Sequence, residues 1–167
     1  MGKEPVKVVL GVASVGTPDL SGDAAIKFIN AFNSHGHVEL DTAAAYPPGN
    51  PGYSEPELAG APSWAVISTK LPGILEPGAQ RGEKITQGLA VGLDKLKKEQ
   101  VEILYLHFPD SSIPFEGTLE AINKAYKAGK FRRFGISNFS PAQVSEVLEI
   151  CGKHGRRLSL LRLLHGC

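Results

Sequence analysis

The chain has 167 residues, of which 42% are hydrophobic and 21% are charged, as is usual for a globular domain. Eighteen Lys and Arg residues nearly balance seventeen Asp and Glu residues, for a formal net charge of +1, which gives no basis for a nucleic-acid partner. No apolar run approaches the length of a membrane span, and no secretory leader precedes the first predicted strand. We therefore expect a cytoplasmic protein that binds neither nucleic acid nor membrane.

Predicted strands and helices alternate along the chain. Each predicted strand is a short apolar run, and the helix after the third strand is clearly amphipathic, with Ile85, Leu89 and Leu93 on one face. Gly36 ends the first helix, and Pro141 opens the last one. In chain order we predict a strand at 7–13, a helix at 21–35, a strand at 38–41, a short helix from 54, a strand at 64–70, a helix at 83–98, a strand at 101–107, a helix at 119–128, a strand at 134–137 and a helix from 140 to 152.

Five strand–helix units of this kind predict an α/β fold with a parallel sheet covered by helices. A doubly wound sheet gives a similar pattern and stays open as an alternative. Its dinucleotide-binding form carries a Gly-x-Gly-x-x-Gly fingerprint after the first strand. That fingerprint is absent here, so the pattern favours a barrel.

Four polar residues lie at or near the ends of successive predicted strands: Asp41, Tyr46, Lys70 and His107. In an α/β barrel these strand ends converge at one mouth, where the chemistry takes place. Taken singly, each residue has an ordinary interpretation, such as a helix cap, a packing ring, a solvated ammonium or a structural imidazole. Together they can protonate a carbonyl, because an ammonium held by the acid lowers the phenol pKa from about 10 and the imidazole orients the carbonyl oxygen. Such a site requires a separate hydride donor.

The segments around these residues resemble the aldo-keto reductase family, most closely its aflatoxin-aldehyde-reductase branch. Each segment alone is a weak signal, whereas the combination is specific. The matching segments are Leu40-Asp41-Thr42-Ala43 with Tyr46, Ser54-Glu55, Ser68-Thr69-Lys70, Tyr105-Leu106-His107 and Gly135-Ile136-Ser137-Asn138-Phe139.

The resemblance implies an NADP-dependent oxidoreductase with a TIM (β/α)8 barrel. In the family, the equivalents of the four strand-end residues form a catalytic tetrad. The tetrad reduces small aldehydes and ketones to alcohols, with the Tyr46 equivalent as proton donor and NADPH as hydride source. The resemblance also implies that Ser137 and Asn138 hydrogen-bond the nicotinamide carboxamide and that Asp41 contacts the cofactor.

A complete barrel needs about 250 residues, so the resemblance also implies parts that are absent from this sequence. We expect a C-terminally truncated, partial barrel of about five βα units at 1–155, without the later loops that bind the NADPH phosphates in the family. NADPH binding and carbonyl reduction should therefore be impaired, and the unpaired edge strands should allow self-association. The alternative is a non-catalytic fragment or interaction module.

The segment 156–167 is rich in Leu and Arg and has no counterpart in the family, which would continue into a sixth strand here. One interpretation is a basic amphipathic helix that binds a partner. The interpretation that we favour is an altered reading frame, a retained intron or a mis-assigned gene end. The sequence therefore predicts a divergent tail after the family domain.

Overall fold

A computed structural model describes residues 6–72 and 77–153, together with the backbone of 161–163. Six parallel strands pair in chain order, and a helix follows each of the first five. The strands are β1 (Val9–Gly11), β2 (Glu39–Asp41), β3 (Val66–Leu71), β4 (Val101–Leu106), β5 (Phe131–Ser137) and β6 (Leu161–Leu163). The helices are α1 (Gly22–Asn33), α2 (Ser54–Leu58), α3 (Gly82–Leu96), α4 (Phe115–Lys127) and α5 (Pro141–Lys153). The predicted α/β architecture is confirmed.

One face of the sheet packs against the helices, and the other face lines a cavity. In β4, Leu104 and Leu106 are buried in the core between sheet and helices, whereas Ile103 and Tyr105 line the cavity. This alternation follows from the two-residue period of a strand. The helices bury apolar stripes in the same core, as Leu89 of α3 does. Among the helices of the described ranges, none has both the length and the apolarity that a membrane crossing requires.

Strand β5 begins three residues before its predicted start at Phe134. The charged Arg132 and Arg133 hide the apolar pattern in this part of the sequence. Phe131 is nevertheless buried, and the Nε atom of Arg133 lies 3.1 Å from Glu102 Oε1 on the neighbouring strand. The arginines are therefore accommodated by partial exposure and ion pairing, while the aromatic side chain joins the core.

The short strand β6 lies in the tail, where the sequence analysis predicted no strand. It pairs in parallel with β5, so that Gly135, Ile136 and Ser137 lie opposite 161–163. The local sequence Leu-Arg-Leu has the two-residue alternation of a strand, but three residues are too few for this period to be recognised beforehand. The sheet thus extends one strand beyond the five predicted units.

The strand register brings the polar strand-end residues to one edge of the sheet. Asp41 lies opposite Ser68 in the pairing of β2 with β3. Lys70 lies opposite Tyr105, which lies opposite Gly135 in β5. Because all the strands are parallel, their C-terminal ends meet at the same edge, which is where parallel α/β sheets place their active sites.

Candidate active site

A buried ion pair between β2 and β3 forms the centre of the candidate site. The side chain of Lys70 is fully buried, and its Nζ donates to Asp41 Oδ2 at 2.5 Å and to the carbonyl oxygen of Thr42 at 2.8 Å. Taking an ammonium out of water is costly unless it gains a charged partner and further acceptors. The strand ends of β2 and β3 supply both, which fixes the position of the lysine.

Tyr46 lies in the loop between β2 and α2, beside this ion pair. Lys70 Nζ is 5.1 Å from the centroid of the Tyr46 ring. The loop closes on itself, because the Tyr46 carbonyl oxygen accepts from the backbone N–H groups of Gly52 and Ser54 at 3.0 and 3.1 Å. The hydroxyl oxygens of Ser54 and Thr42 lie 2.7 Å apart and join the end of the loop to its beginning. A loop held in this way can present the phenol at a defined position.

His107 follows β4 directly and is 8% exposed. Its backbone N–H donates to the Leu71 carbonyl oxygen at 3.0 Å, which joins the ends of β3 and β4. The imidazole meets the Tyr46 ring edge-on, with 5.5 Å between the ring centroids, and contacts the Phe108 ring at 4.6 Å. The imidazole and the phenol therefore border the same space.

Ser137 and Asn138 end β5 next to His107. Asn138 Nδ2 donates to the His107 carbonyl oxygen at 2.8 Å and to Ser137 Oγ at 3.1 Å. Asn138 has φ of 62°, a left-handed conformation that asparagine tolerates better than most residues. The Ser-Asn pair is thus tied to the strand that carries the imidazole, so the predicted cofactor residues and the predicted catalytic residues form one connected group.

Tyr105 belongs to this group as well, although the sequence analysis assigned it no role in the site. Its ring lies 5.7 Å from Lys70 Nζ and lines the inner cavity. A Cβ atom on Gly135 would lie 2.3 Å from the Tyr105 ring, so only glycine leaves room for that ring. Tyr105 lies near Lys70 because the two residues are opposite each other in the pairing of β3 with β4. A single sequence does not show how neighbouring strands are aligned, so this contact could not be predicted.

The inner face of the sheet borders a cavity of about 440 Å³, a volume suited to a small organic ligand. Asp41 and Tyr46 lie at its edge. Val9 and Ile103 contribute apolar wall, and Arg133 adds a positive charge. The arrangement gives a small carbonyl compound apolar contacts beside a proton-donating end.

The pKa of the Tyr46 phenol is shifted in the direction opposite to the one predicted from the sequence. Burial raises the pKa of the Tyr46 phenol above its usual value, and the Asp41 carboxylate adds to this effect. Burial lowers the pKa of Lys70, while the charge and hydrogen bond of Asp41 oppose that change. The expectation that the phenol pKa is lowered is therefore wrong in its net direction, because burial, and in second place the Asp41 carboxylate, raise that pKa. Tyr46 is accordingly a protonated phenol at neutral pH.

A second polar network, not found by the sequence analysis, joins the loops that follow β3 and β4. Asp110 is 4% exposed and accepts from the backbone N–H groups of Gln80 and Ser112 and from the Ser112 hydroxyl. Desolvation acts to raise the pKa of Asp110, but the hydrogen bonds outweigh it and hold that pKa below the usual value. Gln80 Nε2 donates to the Phe108 carbonyl oxygen at 2.5 Å, one residue after His107. The network therefore anchors the backbone immediately after His107.

The structure brings the six predicted site residues into one connected cluster at the C-terminal edge of the sheet. The contacts run from Asp41 to Lys70, from Lys70 to Tyr46 and from Tyr46 to His107. They continue from His107 to Asn138 and from Asn138 to Ser137. Their catalytic and cofactor-binding roles stay predictions.

Residues 7–158 match the sequence model of the Aldo/keto reductase family. The human protein named aflatoxin B1 aldehyde reductase member 2 is 31% identical over 157 residues, which are 90% of this chain and 42% of that protein. The chain therefore spans less than half the length of this relative.

Solved structures show the same fold. A thermostable aldo-keto reductase in complex with the inhibitor epalrestat matches 93% of this chain and 57% of its own, with a TM-score of 0.75 and 24% identity. An aldo-keto reductase from Klebsiella pneumoniae in complex with NADPH matches 84% of this chain and 48% of its own, with a TM-score of 0.68 and 23% identity. The partial (β/α)8 barrel that the sequence resemblance implied is confirmed.

Proposed function

The chain belongs to the aldo/keto reductase family, and we propose that its site reduces small aldehydes and ketones to alcohols with NADPH. The observation that carries the proposal is the chain of contacts from Asp41 through Lys70 and Tyr46 to His107. A phenol at the cavity, with an ammonium and an imidazole packed against its ring, can bind and protonate a carbonyl oxygen. The aldehyde reductase name of the human relative and the NADPH complex of the Klebsiella protein support the proposal by family membership.

In this proposal each residue acts on a stated atom. Tyr46 donates its hydroxyl proton to the carbonyl oxygen of the substrate. His107 hydrogen-bonds the same oxygen and fixes its direction of approach. The Lys70 ammonium stabilises the negative charge that remains on the Tyr46 oxygen after proton transfer, and Asp41 holds the ammonium in place.

The donor set at the end of β5 fits a nicotinamide carboxamide. Ser137 and Asn138 place a hydroxyl and an amide side by side, joined to the backbone of His107. A carboxamide pairs well with such groups, since it both donates and accepts hydrogen bonds. We assign Ser137, Asn138 and Asp41 as the residues that would hold the nicotinamide end of NADPH, which supplies the hydride when bound.

The raised pKa of Tyr46 sets the pH dependence. A donor is active in its protonated form, and burial together with Asp41 keeps the phenol protonated beyond its ordinary range. Reduction should therefore stay constant through neutral pH and decline only under alkaline conditions. The same raised pKa makes Tyr46 a weaker acid, so the reaction relies on Lys70 to stabilise the developing phenolate.

We further propose that the 167-residue chain by itself is slow. Among the described residues, β1 and β6 each have one strand neighbour, so the sheet does not close into a ring. Positioning of hydride donor and carbonyl is sensitive, and a small misplacement costs about a hundredfold in rate. We assign 1–155 to the family domain and 156–167 to a divergent tail. We also propose a cytoplasmic location and self-association through the open edges.

The second candidate function is an interaction module without catalysis. The open edge of β1 favours it, since β1 pairs only with β2 among the described strands and an unpaired strand edge is a template for pairing with another chain. The two candidates differ in one respect that can be measured, namely whether the chain oxidises NADPH when an aldehyde is present.

The test measures NADPH oxidation by the purified chain with 4-nitrobenzaldehyde, together with NADPH binding by fluorescence titration. We expect slow turnover that Tyr46→Phe reduces by a further factor of about 10²–10⁴, the usual contribution of a general acid, with unchanged NADPH affinity. The control is Tyr126→Phe, which removes a hydroxyl from a half-exposed ring on α4 and should leave turnover unchanged. Undiminished turnover in Tyr46→Phe would refute Tyr46 as donor, and a chain without any turnover would leave the interaction module as the function.

A further inference from the structure

Glu55 is a buried carboxylate that the proposed reaction does not use. It lies in α2, is 1% exposed, and accepts a hydrogen bond from Thr69 Oγ1 through Oε1 at 2.7 Å. Its second oxygen, Oε2, has no hydrogen-bond partner within the described ranges. Burial raises the pKa of Glu55, while the Thr69 hydrogen bond and the Lys95 ammonium oppose that rise. Burying a carboxylate with one oxygen that accepts no hydrogen bond costs free energy. A contact of Glu55 that stabilises the surrounding structure is therefore expected.

The Thr69 hydrogen bond connects the two segments that carry Lys70 and Tyr46. Thr69 and Lys70 are consecutive residues of β3, so their side chains point to opposite faces of the sheet. Glu55 directly follows Ser54, whose backbone N–H donates to the Tyr46 carbonyl oxygen at 3.1 Å. A movement that carries Tyr46 and the attached Ser54 together away from β3 would therefore stretch the Glu55–Thr69 hydrogen bond.

Helix α3 encloses the carboxylate from the outer side. A Cβ atom on Gly92 would lie 3.1 Å from Glu55 Oε1, which is tighter than most real contacts. Lys95, one turn further along α3, donates to the Gly52 carbonyl oxygen at 3.3 Å, within the same loop. The loop is thus held by α3 on one side and by β3 on the other, and Glu55 contacts both.

We propose that Glu55 is a positioning residue that, through Thr69, fixes the distance and direction of the Tyr46 phenol relative to the Lys70 ammonium. A carboxylate suits this task because hydrogen bonds to charged acceptors are shorter and stronger than neutral ones. The effect of Glu55 on the position of Tyr46 is argued from the contacts in the structure and requires no activity. Its consequence for catalysis rests on the proposed reductase function.

The test compares Thr69→Val, which removes the donor and keeps the shape, with Thr69→Ser, which keeps the donor. The probe is tyrosine labelled with ¹³C at Cζ, whose NMR signal reports the ionisation of each phenol, and Tyr46→Phe assigns the signal. Among the described residues, the charged or titratable groups next to Tyr46 are Asp41, Lys70 and His107. Lys7, Glu39, Tyr105 and Arg133 line the same cavity, and neither substitution alters any of these groups. We expect Thr69→Val to admit water and to move the Tyr46 pKa down toward its ordinary value, whereas Thr69→Ser retains the raised pKa.

Equal Tyr46 titrations in Thr69→Val and the unsubstituted chain would overturn the proposal. If Thr69→Val does not fold, as judged by circular dichroism, the comparison passes to Glu55→Gln, which keeps an acceptor oxygen, against Glu55→Met, which removes it. Glu55→Gln should then keep the Tyr46 pKa closer to that of the unsubstituted chain, and Glu55→Met, which has no acceptor, should lower it further.

A second readout separates this proposal from the reductase function. In a chain that turns over, Thr69→Val should lower kcat by roughly tenfold to a hundredfold, as expected for misplacement of a reacting group, and leave KM for the aldehyde within about twofold. A kcat equal to that of Thr69→Ser would count against positioning. Absence of turnover in the unsubstituted chain would refute the reductase function, and the Tyr46 titration would still decide the role of Glu55.

Discussion

The central strands and the edge strand of the sheet differ in how firmly they are held. Strands β3, β4 and β5 have six, six and seven residues and each pairs with two neighbours. Strand β1 has three residues, pairs only with β2, and leaves Val9 47% exposed. Lys70 belongs to the central strands, and His107 and Asn138 follow directly after them. Lys70, His107 and Asn138 are thus fixed by the well-packed part of the fold. Asp41 and Tyr46 depend on the short strand β2 and the loop after it, and closure of the cavity depends on the weakly held edge.

The largest loss of unfolding free energy is expected when a side chain in the core of the central strands is truncated. Leu104 is fully buried at the middle of β4, so Leu104→Ala removes buried methyl groups and leaves a cavity, which typically costs about 2–5 kcal/mol of unfolding free energy. Val9→Ala on β1 should change the unfolding free energy by less than about 0.5 kcal/mol, as at other exposed sites. Urea unfolding followed by circular dichroism measures both. Similar losses in the two variants would show that the edge strand is as firmly held as the centre.

The Asp41–Lys70 pair tests whether the site shares the stability of the central strands. Asp41→Asn removes the charge that holds the buried ammonium, and loss of a charged hydrogen bond costs about 2 kcal/mol at pH 7. Burial already lowers the pKa of Lys70, and loss of Asp41 lowers it further. An amine whose folded pKa is depressed makes the folded state more stable as pH rises, so the penalty should shrink between pH 7 and pH 10. A penalty independent of pH would mean that Lys70 does not carry the effect.

The central region was also the part that the sequence predicted best. Lys70 and His107 end apolar runs, and this local pattern was enough to place both at one edge of a parallel sheet. Tyr105 and Glu55 could not be placed in the same way. The role of Tyr105 depends on the register between β3, β4 and β5, and the burial of Glu55 depends on the close approach of α3 at Gly92. Strand register and the packing of α3 against Glu55 are both features of tertiary structure, which a local sequence pattern does not predict.

At the edges the sequence was less informative. The predicted first strand covered 7–13, but only 9–11 pair with β2, because an edge strand gains partners on one side only. The early start of β5 was concealed by Arg132 and Arg133, which keep their charges partly exposed or ion-paired. The strand at 161–163 was missed because three residues give too short a period. Two of these misjudged extents therefore belong to the edge strands β1 and β6, and the third lies where charged side chains interrupt the apolar pattern of β5.

A smaller effect is expected at Glu55, behind the central strands. Because its folded pKa is raised above its ordinary value of 4.5, the carboxyl contributes fully to stability below that ordinary value, and this contribution is lost as pH rises through the folded pKa. Glu55→Gln does not ionise, so its unfolding free energy should improve relative to the unsubstituted chain between pH 4 and pH 8. The expected gain is on the order of 1 kcal/mol, the size of one buried polar change. Urea titrations at the two pH values measure it, and a difference that does not vary with pH would contradict the raised pKa.

The smallest change in stability is expected at the edge itself, where Val9→Lys tests the proposed self-association. A lysine on an edge strand discourages pairing with a second chain, and Val9 lies opposite Glu39 in the register, so the new charge gains an acidic neighbour. Unfolding free energy should stay within about 0.5 kcal/mol of the unsubstituted value. Sedimentation velocity over a concentration series should show a larger monomer fraction than in the unsubstituted chain.

Val91→Lys is the matched control, since it adds the same charge at a 54% exposed position on α3, away from the sheet edge. If Val91→Lys dissociates the chain equally well, net charge and not the β1 edge governs association; if neither variant does, the open edge is not the contact surface.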